Sequence, residues 1–84
     1  MDLTKRQQEI FEKVKADWGK RVGAGNVNED TLKRIIVDAD TDGDGFKRVQ
    51  KVGSKKTYLV PIEDILLIGV RVTDLEKYPT EEQQ

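Results

Sequence analysis

The chain has 84 residues, 37% of them charged, and a formal net charge of −1. It contains no cysteine and no histidine, which excludes disulfides, thiolate zinc sites, thiol nucleophiles and the usual general base. Ser54 is the only serine, so hydrolytic triads are excluded too, and the composition points to a binding protein and not an enzyme.

At this length the chain is one domain, expected over residues 1–78, with residues 79–84 as a polar, flexible tail. No apolar run approaches the roughly 18 residues that span a bilayer, and Met1-Asp-Leu-Thr4 opens no signal peptide, so no membrane partner is expected. The lack of cysteine fits a cytoplasmic location.

Thr4-Lys-Arg-Gln7 has the form of a capping box. Ile10, Phe11, Val14 and Trp18 follow on one face at helical spacing, which predicts a helix over residues 5–20. Val22-Gly-Ala-Gly25 ends it. Asn26 or Asn28 can cap a second helix over residues 29–38, with Leu32, Ile35, Ile36 and Ala39 as its apolar stripe. Residues 46–52 and Thr57–Val60, joined by a turn at Gly53–Lys56, predict a β-hairpin. Pro61 ends the second strand, and the continuously apolar run into Ile65–Val72 predicts a third, central strand. The expected fold class is α+β, in the order α-α-β-β-β. Two helices pack on a small antiparallel sheet of about three strands, winged-helix-like or small-barrel-like.

Three segments resemble known proteins. Leu3-Thr-Lys-Arg-Gln-Gln-Glu-Ile10 resembles the opening helix of LexA-type winged-helix repressors. That likeness stops at Trp18, and the chain offers one further helix where those repressors have a helix-turn-helix. Tyr58-Leu-Val-Pro-Ile-Glu-Asp-Ile-Leu-Leu-Ile68 resembles the closing strands of small SH3-like or PRC-type barrels. Asp40-Thr-Asp42-Gly-Asp44-Gly45 resembles the first half of an EF-hand loop, which implies carboxylate ligands at alternate residues. The second half departs from that pattern, because Lys51 stands where the bidentate Glu is required.

Two charged constellations carry the functional expectations. Asp38, Asp40, Asp42 and Asp44 either form a solvated turn or gather a hard cation, Ca²⁺ or Mg²⁺, at millimolar affinity at best. Lys47, Arg48, Lys51, Lys55 and Lys56 give residues 46–56 five cations and no acid, with Tyr58 near enough to stack on a base. A basic hairpin of this kind can follow phosphates, meet an acidic protein surface, or protect a sheet edge from pairing. The leading expectation is a regulatory or adaptor module with a charged protein-binding surface, of the kind phages and mobile elements encode. A winged-helix-like nucleic-acid binder is the alternative and a weak calcium module the third. A second copy pairing at a sheet edge is also open.

Overall fold

A computed structural model describes residues 2–81 of the chain. Helix α1 spans Lys5–Val22 and α2 spans Glu29–Ala39, with a short 3₁₀ turn at Ala24–Asn26 between them. Strands β1 (Phe46–Gln50) and β2 (Thr57–Pro61) form the hairpin. Helix α3 (Ile62–Leu67) follows without a break, then a 3₁₀ segment at Val72–Lys77 and strand β3 at Thr80–Glu81. The sheet is antiparallel, in the order β1-β2-β3. The α+β class and the three-stranded antiparallel sheet agree with the sequence.

Local chemistry explains the first helices. The Thr4 hydroxyl accepts from the Gln7 backbone N–H at 3.1 Å, and the Gln7 side chain accepts from the Thr4 N–H at 3.0 Å, which satisfies two helix-end donors. Gly23, at φ 88°, takes the left-handed region that stops α1. Asn28 caps α2, its carbonyl accepting from the Thr31 N–H at 3.0 Å, with Glu29 and Asp30 in the first turn.

The third strand lies elsewhere than expected. Residues 65–72 contain the end of α3, a turn at Gly69 and the start of the 3₁₀ segment, and the strand that completes the sheet is Thr80–Glu81. Pro61 is the N-cap of α3, Glu63 and Asp64 stand in its first turn, and Gly69 (φ 65°) closes it. The Ile68 and Gly69 N–H groups both donate to the Asp64 carbonyl, at 3.0 and 3.2 Å. Residues 79–81, expected in the polar tail, lie against β2. Pro79 accepts from the Leu59 N–H at 2.8 Å, and Thr80 and Glu81 pair with Tyr58 and Thr57. The remainder of that segment lies outside the described residues.

Helix α3 joins two apolar clusters. Ile10, Phe11, Val14, Leu32, Ile36 and Ile62 form the larger one, where α1 packs on both α2 and α3. Tyr58, Val60 and Leu75 form the smaller one under the sheet, flanked by Val49, Ile65, Val70 and Tyr78. Ile62 faces the first cluster and Ile65 the second, so one turn of helix belongs to both cores. Trp18 Nε1 donates to the Leu66 carbonyl at 3.3 Å and Arg21 to the Leu67 carbonyl at 3.4 Å, which caps the end of α3 from α1.

Candidate interaction surface

The four aspartates do not converge. Asp40 is buried at the end of α2, where one carboxylate oxygen accepts from the Gly45 N–H at 2.8 Å and the other from Gln7 Nε2 at 2.9 Å. The capping-box glutamine therefore ties α1 to the loop. Asp42 and Asp44 turn toward β1 and engage Arg48 at 3.1 and 2.7 Å, and Asp38 is exposed on α2. Among the described residues no group of three or more acidic side chains is arranged to hold a metal ion.

Arg48 is consequently not part of a basic surface. Its Nη1 and Nη2 donate to both Asp44 oxygens, at 3.0 and 2.7 Å, and its Nε lies 3.5 Å from Glu81. Those bonds raise the Arg48 pKa. Hydrogen bonding to Arg48 in turn lowers the Asp44 pKa below the ordinary carboxylate value. A phosphate or peptide acid approaching this face meets three carboxylates around one guanidinium, and the local field is not attractive to anions.

Tyr58, expected near enough to stack on a base, is not available for that role. Its ring is buried in the sheet cluster at 2% exposure and cannot stack on a base. Its hydroxyl donates to Glu76 at 2.8 Å, and that bond, ahead of burial, raises its pKa. Glu63 and Asp64 diverge: Glu63 accepts from Arg6 at 2.6 Å, and Asp64 accepts from the Tyr78 hydroxyl at 3.0 Å.

Lys47, Lys51, Lys55 and Lys56 form no ion pair among the described residues. Lys51, Lys55 and Lys56 belong to the hairpin loop, which Gly53 turns at φ 82° and the Ser54 N–H closes on the Lys51 carbonyl at 3.0 Å. Lys47 is different. The β1–β2 register sets it opposite Val60, on the face that carries Val49 and Tyr58 and away from Arg48.

On that face the structure opens a cleft of about 240 Å³ between the hairpin and residues 70–72, floored by Val49, Val60, Ile65 and Leu75. Val70 and Val72 form its far wall, and Lys47 and Arg71 stand at its rim. Arg71 also forms no ion pair among the described residues; its backbone N–H, followed by the Lys77 ammonium, lowers the Asp74 pKa, and the Arg71 charge adds weakly to that. Val72 is 61% exposed and nearby Ile68 72%, high values for residues of that size. Sequence reasoning missed Arg71 and these valines, because a strand over 65–72 would have placed them inside the sheet. The signal that could have found them was Gly69, which breaks the run before Val70-Arg-Val72.

No family model, curated protein or solved structure matches this chain. The functional reading therefore rests on this surface alone.

Proposed function

We propose that this chain is a small non-catalytic binding module whose partner is a protein segment that is both acidic and apolar. The observation that carries the proposal is the cleft with an apolar floor and, at its rim, two cations that form no ion pair among the described residues, Lys47 and Arg71. An apolar side chain filling it removes valine and leucine surface from water at ~25 cal/mol per Å². Carboxylates beside it supply selectivity and on-rate. No helix of the described residues is long and apolar enough to cross a membrane, and a fold without cysteine needs no oxidising compartment, which supports the cytoplasm as its setting.

Nucleic acid is the second reading, favoured by the exposed Lys55 and Lys56 at the hairpin tip. The carboxylates around Arg48 weaken it, because they place three negative charges on one face of the same hairpin. Fluorescence anisotropy separates the two. Acidic–apolar peptides and labelled duplex and single-stranded DNA and RNA are titrated across a salt series. We expect peptide binding that survives moderate salt and is lost in Lys47→Glu with Arg71→Glu. Nucleic-acid binding that falls log-linearly with salt and is lost in Lys55→Glu with Lys56→Glu would transfer the function to the tip.

A further inference from the structure

The direction of the β1 peptide groups can be read from β2. The Leu59 N–H donates to the Pro79 carbonyl, toward β3, so it points away from β1. Leu59 stands opposite Arg48, which makes this a non-hydrogen-bonded pair and turns the Arg48 N–H and C=O outward as well. By the two-residue period Phe46 and Gln50 face outward too, and the Gly45 carbonyl, accepting from the Ile62 N–H at 3.0 Å, fits the same phase. Asp44 Oδ1 accepts the Phe46 N–H at 3.1 Å and caps that end of the edge. The N–H and C=O of Arg48 and Gln50 find no backbone partner outside the β1–β2 ladder among the described residues, and β1 is the outer strand of the sheet.

We infer that this edge receives an extended acidic–apolar peptide as a fourth strand, with one of its apolar side chains in the Lys47–Arg71 cleft. The inference rests on the protein-binding function proposed above and specifies its partner. Main-chain bonds to Arg48 and Gln50 supply affinity, and alternate side chains supply specificity. Side chains of the added strand that point to the Val49 face lie over the cleft. One apolar residue there meets Val49, Val70 and Val72, and acidic residues two positions either side reach Lys47 and Arg71. The other set faces Arg48, already shared by Asp42, Asp44 and Glu81, and must be neutral. A lysine on an edge strand ordinarily deters pairing, but it deters basic and neutral strands and admits acidic ones. A second copy of β1 is disfavoured by the same charges, because it brings two Lys47 side chains to one edge.

The probe is the capped heptapeptide Thr-Asp-Thr-Val-Thr-Asp-Thr, with Thr-Lys-Thr-Val-Thr-Lys-Thr as control. Binding is followed by two-dimensional NMR and amide hydrogen exchange on the full chain. The expected result is saturable binding of the acidic peptide below about 1 mM, no binding of the basic one, and exchange at the Arg48 and Gln50 amides slowed about tenfold or more. Compared with Gln50→Ala, which loses only the side-chain bond to the Ser54 carbonyl, Gln50→Pro also deletes one outward N–H and should bind about tenfold more weakly. If that variant does not fold, wild-type exchange at Arg48 and Gln50 decides alone.

Binding that Lys47→Glu abolishes but that leaves both amides unprotected would overturn the strand and keep the protein-binding function. No saturable binding by this probe overturns the strand. If the acidic peptides of the anisotropy titration also fail to bind, the function falls with it. A free protein that sediments as a dimer with those amides already protected would make a second copy the occupant and refute the peptide.

Discussion

Asp40 shows how a residue can be conspicuous in sequence for one reason and matter in the fold for another. The alternating aspartates draw the eye as cation ligands, but Asp40 spends both oxygens on the Gly45 N–H and the Gln7 amide. The Gln7 partner cannot be found from spacing, because it lies 33 residues away and meets the loop only once α1 and α2 have packed. Asp40→Ala should cost about 2–4 kcal/mol in urea unfolding, because it strands a buried N–H and a buried amide. Asp38→Ala, on the exposed side of α2, should stay within about 0.5 kcal/mol, and equal losses would refute the assigned role. Gly45 is constrained from another direction. At φ 84°, a Cβ there would lie 2.6 Å from Arg6 Cγ and Nε, and Arg6 is held by Glu63. Gly45→Ala should therefore destabilise by about 1–3 kcal/mol, whereas Gly43→Ala, at φ 74° but with nothing within 4 Å of a Cβ, should cost less. Asp44 supplies an acid-limb test. Its pKa is depressed mainly by hydrogen bonding to Arg48, so the folded state binds the proton less tightly than the unfolded chain. Its contribution is thus present above the unfolded value of about 3.9 and is lost as pH falls through the depressed one. Wild type and Asp44→Asn should differ by about 2 °C in melting temperature at pH 7, a small gap because the pair is exposed, and should converge as pH drops below 3.9.

Helix α3 is the element the sequence disguised, and the reason is instructive. The run Ile65–Val70, interrupted by Gly69, suits a buried strand as well as the end of a short helix, because the three residues that close α3, Ile65–Leu67, include no polar position to reveal a helical period. The punctuation distinguishes them: Pro61 before the run, acids at Glu63 and Asp64, and Gly69 inside it are helix start and stop signals. The long helices were legible because each has a single apolar stripe and a side-chain cap, and the hairpin because glycine and lysine mark its turn. Strand β3 was not legible. Two residues carry no periodicity, and Thr80–Glu81 is a strand only because β2 offers it a partner. The cleft was hidden for the same reason, since it exists between the hairpin and a segment assigned to the wrong element. If α3 links the cores, truncating it on either side should be felt strongly. Ile62, fully buried in the helical cluster where α3 meets α1, should lose about 2–5 kcal/mol on replacement by alanine. Val52→Ala in the hairpin loop, at 99% exposure, should lose almost nothing.

At the scale of the whole molecule, the chain extends over 44 × 26 × 16 Å with its apolar residues divided between two clusters. The helical cluster holds six buried side chains and the sheet cluster three. Between them run α3 and a polar strut in which Arg6 bonds Glu63 at 2.6 Å and lies over the Phe46 ring, 6.0 Å from its centroid. A small cluster that depends on a larger one through so narrow a connection should open more often than its neighbour. That asymmetry bears on the proposed function, because the cleft and the β1 edge both belong to the smaller unit. Native-state hydrogen exchange tests it. Amides of α1 around Ile10–Val14 should be protected about tenfold or more beyond those of Val49 and Val60, and the exposed hairpin loop should exchange fastest. Equal protection in α1 and the hairpin would mean that α3 welds the two clusters into one cooperative unit.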